Sequence, residues 1–289
     1  MNRLDAKFSN RNRKVLVAYL CVGDPSPEET FDLACACVER GADVIELGVP
    51  FSDPTADGPA IQRASHRAIA AGGGFDAALL TARGLRKAQP LVGIVLFGYY
   101  NPIVVRGESR AVQEAAAAGV DAFLVVDLPI EESGVLGGFA RDHDVGLIPL
   151  LAPTSRAERV AAVRAARNRW PMPFLYYVSV TGVTGAATID AADASCRAGT
   201  LARELSIPAV VGFGIDSREK ARLTAQKADG VVVGTAVVNA IEVGRNAAQR
   251  RANVERLVGE LRAGVDEASA TAMTSGELDG GRALPPSST

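Results

Sequence analysis

Two acidic side chains eleven positions apart, Glu46 and Asp57, carry the clearest chemical signal in the sequence. Glu46 interrupts the apolar run Val44-Ile-Glu-Leu47. A carboxyl aimed into a poorly hydrated cavity mouth is disfavoured as an anion, so its pKa rises and it can act as a general acid or base near neutrality. The same residue can equally be a strand-end carboxylate satisfied by an Arg or Lys. Asp53 and Asp57 stand in the Pro-, Gly- and Asp-rich stretch 49–59, where Asx turns and helix caps are the ordinary use of aspartate. Asp57-Gly-Pro59 precedes a helical pattern that begins near Ala60, so capping alone accounts for Asp57.

A second set of residues suits an anion. Gly212-Phe-Gly-Ile-Asp216 and Gly234-Thr-Ala236 each follow a short β-branched run, and the second opens a helix. Glycines admit close backbone approach, and the N–H groups and dipole of a helix N-terminus attract phosphate without a Lys. A Gly-x-Gly is also common in tight turns, and neither segment is a G-x-G-x-x-G. The small-residue stretch Ser179–Thr188, with Gly182 and Gly185, can be a lid or a surface loop. Tyr176 and Tyr177 are neighbours on one strand, so they face opposite ways and at most one can line a site. The two histidines, His66 and His143, fall on helix surfaces, which leaves zinc or Ser/His/Asp chemistry without support.

These residues need a scaffold, and the sequence reads as eight strands alternating with helices. The strands are expected at 15–20, 44–47, 92–97, 122–126, 146–151, 174–178, 209–212 and 230–233. Continuous apolar runs suit strands covered on both faces of a parallel sheet. Ser26 and Glu29 form a capping box with Pro27 at the first helical position, and Ser155 with Glu158 and Asp216 with Glu219 suggest two more helix starts. Other helical stretches fall near 60–71, 75–88, 108–118, 132–142, 190–205 and 236–263. Gly41-Ala-Asp43, Gly119-Val-Asp121 and Lys227-Ala-Asp229 form a weak internal echo, each just ahead of a strand. Together these predict an α/β fold, a single (β/α)8 TIM barrel over 1–265, with Leu4 and Phe8 on a short N-terminal helix. An open doubly wound sheet is the alternative. Residues 266–289 lack periodicity and read as a loose tail. In a barrel the site lies at the carboxyl ends of the strands, and phosphate is often held after strands seven and eight, where the two glycine segments fall.

The 289 residues are 48% hydrophobic and 22% charged, with 31 basic and 33 acidic side chains for a net charge of -2. That balance excludes a disordered chain and gives no basic surface for nucleic acid or membrane. Four cysteines with no C-x-x-C read as reduced thiols of a cytoplasmic protein. The N-terminus lacks the apolar core of a signal peptide.

Leu20–Ser26, Glu46–Pro59, Gly98–Pro102, Val126–Pro129, Thr181–Gly185 and Gly212–Ile215 closely resemble, in order, the tryptophan synthase α subunit family, over residues 4 to 263. The resemblance implies a lyase that splits indole-3-glycerol phosphate by retro-aldol cleavage. It makes Glu46 the acid/base for the ring carbon and side-chain hydroxyl, and Asp57 the partner of the indole N–H. Tyr19, Phe97, Tyr99 and Leu124 pack the ring and Tyr176 supports the site. Gly185, Gly214, Gly234 and Thr235 hold the phosphate. It also implies no cofactor of the chain's own, and an α2β2 complex with a pyridoxal-phosphate-bearing β subunit that takes up the indole, contacted through Asp53 and Pro54. Two further readings are a self-sufficient lyase and a non-catalytic activator of the β chain. Cys21 stands where a Thr is frequent in the family, Thr55 falls in a loop position that varies, and Val180 replaces an arginine seen in some relatives.

Overall fold

The computed structural model describes residues 3–10, 13–178, 191–212 and 214–279. The first third of the chain runs α1 (Arg3–Ser9), β1 (Val15–Cys21), α2 (Pro27–Glu39), β2 (Val44–Gly48), α3 (Pro59–Ala70), α4 (Phe75–Ala88) and β3 (Gly93–Gly98). It continues with α5 (Tyr100–Arg106), α6 (Glu108–Ala117), β4 (Ala122–Val125), α7 (Gly134–Asp142), β5 (Gly146–Leu147), β6 (Leu150–Leu151) and α8 (Ala157–Ala166). The last part holds β7 (Leu175–Val178), α9 (Ala191–Leu205), β8 (Ala209–Gly212), α10 (Arg218–Ala225), β9 (Gly230–Val233), α11 (Thr235–Glu242) and α12 (Ala247–Asp279).

All strand pairs are parallel, in the order β5-β4-β3-β2-β1-β9-β8-β7-β6. The two ends of this order are halves of one expected strand, 146–151, divided at Ile148-Pro149. Ile148 N donates to Phe123 O on the β4 side, and Pro149 O accepts from Tyr176 N on the β7 side. The sheet therefore closes on itself as a (β/α)8 barrel, and the open doubly wound alternative is set aside.

Side-chain parity divides the core in two. Leu16, Ala18, Leu20, Ile45, Leu47, Ile94, Leu96 and Phe123 face outward and pack with the helices. Val15, Val17, Val44, Val95, Ala122, Leu124, Ile148, Phe174, Val210 and Val232 fill the barrel interior. Both sets are fully apolar because both faces of the wall are covered, which is why these strands read as unbroken apolar runs. Leu4 and Phe8 stand on the expected N-terminal helix α1 and belong to the interior set, with Phe8 5.3 Å from Phe174.

The internal echo has a physical role. Asp43 accepts from Leu16 N at 3.0 Å, Asp121 from Ile94 N at 2.8 Å, and Asp229 from Ala209 N at 2.9 Å. Each aspartate, just before its own strand, satisfies an N–H near the start of the preceding strand, where the ladder cannot. Asp43 and Asp121 are also paired with arginines: Arg13 and Arg262 on the first, Arg3 and Arg86 on the second.

Several local expectations shift. Ser26 caps α2 through Glu29 N at 3.2 Å with Pro27 first in the helix, as read from the sequence. Ser155 does not cap α8; its hydroxyl accepts from Ala152 N at 2.9 Å, and Arg156 occupies the cap position without a side-chain bond. Such short-range side-chain-to-backbone bonds compete with capping. Ser217, not Asp216, caps α10. The helix α5 has no counterpart in the sequence reading because Pro102 sits in its first turn, where proline is tolerated, and Gly107 ends it. The expected tail boundary at 266 falls inside α12, which runs on to Asp279, with Ala268 and Ser269 buried. Ser269 accepts from Lys14 N, so small residues continue the packed face that Val254, Val258, Leu261 and Val265 begin. Residues 280–289 lie outside the described residues.

Replacing Asp121 with Ala should lower unfolding free energy by about 3–5 kcal/mol, because the poorly exposed Arg86 loses its counter-charge and Ile94 N its acceptor. Urea unfolding of the variant against wild type measures this.

Candidate active site

The carboxyl ends of the strands surround a cavity of about 300 Å³, within the range of small-ligand sites. Glu46 and Tyr19 are register partners on β2 and β1, both inward by parity, and Phe97 pairs with Gly48 on the other side. Tyr19 and Phe97 meet edge to face at 5.2 Å. Tyr176 faces the same space from β7, while Tyr177 is buried on the outer side, so one of the two tyrosines lines the site. Two glycines make room for the rings. A Cβ on Gly48 would lie 2.3 Å from the Tyr19 hydroxyl, and one on Gly212 would lie 2.0 Å from the Tyr176 hydroxyl.

Glu46 is 1% exposed, and its Oε1 has no hydrogen-bond partner. Burial alone pushes its pKa up to about 8. The paired-carboxylate reading fails: among the described residues no cation bridges to it, and 179–190 contain no Lys or Arg. A carboxyl in this setting stays protonated at neutral pH, and ionising it means placing a bare charge in an apolar wall.

Asp57 is held differently. It does not cap α3; Gly58 takes that position without a side-chain bond, and Pro59 starts the helix. Its Oδ2 accepts from the Tyr99 hydroxyl at 2.9 Å, and that hydroxyl accepts in turn from Ala56 N at 3.0 Å. Burial raises the Asp57 pKa and the Tyr99 bond pulls it back, for a value of about 6. Asp57 is therefore mostly an anion at pH 7 and Glu46 mostly a neutral acid. Environments that drive two carboxyls apart in this way mark them for different jobs.

Gly214, Gly234 and Thr235 also line the cavity, and the last two form the N-terminus of α11. Gly214 has φ +74°, a left-handed turn that suits glycine. Leu124 is placed elsewhere: it is fully buried in the interior layer next to Phe97 and is not part of the cavity wall. Tyr99 touches the site through Asp57 and stacks on Phe51 at 5.0 Å. Gly185, Val180 and the rest of the Ser179–Thr188 stretch lie outside the described residues. In the loop before α3, Asp53 is exposed and hydrogen-bonded to Ser52, whereas Pro54 is buried. His66 and His143 are exposed.

Ile61, Val126, Leu150, Val178, Ile215, Val232 and Asn239 also line the cavity and were not singled out from the sequence. For the strand residues the signal was parity: Leu150, Val178 and Val232 continue the alternation that makes Tyr176 inward. Ile61 and Asn239 sit on helices, and only the assembled fold brings them to the site.

Residues 6–266 match the family model described as tryptophan synthase alpha chain. This chain belongs to that family. It is 44% identical over 270 residues to the tryptophan synthase alpha chain of Laribacter hongkongensis, covering 92% of this chain and 100% of that one. It is 48% identical over 246 residues to the alpha chain of a Geobacter species, covering 84% and 90%. The crystal structure of tryptophan synthase subunit alpha from Legionella pneumophila superposes with a TM-score of 0.82 at 35% identity, covering 92% of this chain and 99% of that one. A Mycobacterium tuberculosis tryptophan synthase structure gives 0.80 at 35% identity, covering 91% and 98%. Among the described residues no helix is long and apolar enough to cross a membrane.

Two expectations follow from the electrostatics. Tyr99→Phe removes the bond that lowers the Asp57 pKa, so the carboxyl should titrate above about 6, visible by carboxylate NMR. For stability, the folded chain keeps a proton on Glu46 that the unfolded chain releases above about 4.5. Wild-type stability therefore falls as pH rises from about 4.5 through about 8. Glu46→Gln should lack that slope and melt higher than wild type at pH 9, by on the order of 5 °C, with a smaller gap at pH 5.

Proposed function

We propose that this chain is the α subunit of a tryptophan synthase and cleaves indole-3-glycerol phosphate to indole and glyceraldehyde 3-phosphate. The observation that carries this reading is the uncompensated burial of Glu46 in a ligand-sized cavity that an aspartate of lower pKa also lines. Family membership supports it.

The difficulty of the reaction is that a carbon–carbon bond must break with its electron pair left on an indole ring. Glu46, protonated below about pH 8, gives its proton to ring carbon C3. The ring becomes an indolenine whose nitrogen carries positive charge. Asp57, ionised above about pH 6, accepts a hydrogen bond from that N–H and stabilises the charge. The Glu46 carboxylate then takes the proton of the side-chain hydroxyl. The carbon–carbon bond breaks, its electrons restore the aromatic ring, and the hydroxyl carbon leaves as an aldehyde. Glu46 ends as it began, so the proton count closes. Tyr19, Phe97 and Tyr176 pack the ring, while Gly214, Gly234 and Thr235 hold the phosphate at the other end. The role of Gly185 in the same cradle rests on the family resemblance.

In this reading the chain works in the cytoplasm and docks a β subunit through the loop that carries exposed Asp53, with Pro54 beneath it. Indole is apolar and would escape across membranes, so direct transfer to the partner retains it. Both carboxylates sit in a cavity of substrate size, which favours a catalytic chain over a mere activator of the β subunit.

Indole release from indole-3-glycerol phosphate, assayed with and without a β subunit, tests the proposal. Glu46→Gln should lose at least about 1000-fold in kcat, or about 4 kcal/mol of barrier. Full activity in that variant would overturn the assignment. The kcat profile of wild type should be bell-shaped. It should rise through about pH 6 as Asp57 ionises and fall through about pH 8 as Glu46 loses its proton.

A further inference from the structure

The cavity has an unusual charge balance for a site that takes a phosphate ester. Three of its lining residues are acids, Glu46, Asp57 and Asp216, and among the described residues none is a Lys or Arg. Residues 179–190 and 213 cannot supply one, because the sequence has no basic residue there. Asp216 lines the cavity directly after Gly214-Ile215, so in the proposed reading a carboxylate stands in sequence next to a phosphate-holding glycine and repels the dianion.

Among the described residues, the one cation bonded to a lining acid is on α10. Lys220 Nζ donates to Asp216 Oδ2 at 2.9 Å, one helical turn along. The other cations of α10 are committed elsewhere, Arg218 to Glu267 and Arg222 to Glu219. The Asp216–Lys220 pair is about half exposed on both sides, at 58% and 49%. An exposed i,i+4 pair of this kind holds its partners only weakly, so exchanging the acceptor costs little. A phosphate dianion offers three oxygens and a larger charge than one carboxylate.

We propose that Lys220 determines selectivity for the phosphorylated end of the substrate, its ammonium turning from the Asp216 carboxylate to the phosphate when ligand enters. Asp216 holds the lysine at the mouth of the empty site and screens its charge. The backbone cradle around Gly234 and Thr235 sets where the phosphate lies, and the Asp216–Lys220 pair sets how strongly a dianion is preferred to an uncharged ligand. This inference rests on the proposed indole-3-glycerol phosphate reading.

The test is binding of glycerol 3-phosphate and of indole, by calorimetry, alongside cleavage kinetics of the full chain with β subunit. Lys220→Met should weaken glycerol 3-phosphate about tenfold and raise KM similarly, with kcat and indole affinity within about twofold of wild type. Lys220→Arg should restore most of the loss. Asp216→Asn, which removes the repulsion and releases the lysine, should tighten glycerol 3-phosphate by about threefold or more. Both residues are exposed, so melting temperature should stay at the wild-type value in each variant. An active wild type whose Lys220→Met variant binds glycerol 3-phosphate unchanged overturns the inference and leaves the function standing. A variant that loses indole and phosphate affinity alike also overturns it, as a structural effect. A wild type that neither binds glycerol 3-phosphate nor releases indole overturns the functional reading, and this inference with it.

Discussion

A carboxyl group sealed in an apolar wall without a counter-charge is the constraint around which the rest of the site is arranged. Glu46 sits on β2 at an inward position, between Tyr19 on one side and Val95 on the other. Every inward neighbour lower in the barrel is aliphatic or aromatic. A cation at this depth would remove the proton that the proposed chemistry needs, because an ion pair favours the carboxylate. At the opposite end of the barrel Arg3, Arg13, Arg86 and Arg262 surround Asp43 and Asp121. One chain thus uses acids in two ways. At the amino ends of the strands they are paired and hydrogen-bonded, and they hold the fold. At the carboxyl end of β2, Glu46 is left with an unpartnered oxygen, which frees it for chemistry.

The second carboxyl is held in a different way. Asp57 comes from a loop rather than a strand, and a loop carboxylate is normally well solvated. The Tyr99 hydroxyl fixes it while itself held by Ala56 N, so the loop and the end of β3 are tied by two bonds through one oxygen. This bridge explains how an element with so much Pro, Gly and Asp presents a side chain in a definite place. It also gives Tyr99 a role in orienting the acid in addition to packing near it.

Much of the fold was legible because a parallel barrel has an unusual hydrophobic code. Strands covered on both faces appear as unbroken apolar runs, and a single Glu inside one of them stands out. The G-x-D echo was legible as a repeat but not as a device, since sequence does not say which N–H an aspartate will meet. Ser155 looked like a cap and is bonded to Ala152 N instead, a competition decided within three residues. The end of α12 was hidden for a different reason: Ala268 and Ser269 pack as small residues, and small residues carry little periodic signal. Glu46 and Asp57 were both singled out in the sequence, and the family resemblance gave them different roles, but the environments that divide them were not legible. That division comes from burial and from Tyr99, a residue forty-two positions from Asp57.

The divided fifth strand has a consequence for how the ring is joined. Ile148 makes its bond toward β4, Pro149 makes its bond toward β7, and proline has no N–H to offer between them. The circumference is therefore continuous at this point through covalent backbone rather than through lateral pairing of two long neighbours. Opening the chain there would leave all eight parallel ladders in place and turn a hoop into a ribbon, which makes 148–149 the natural clasp of the barrel.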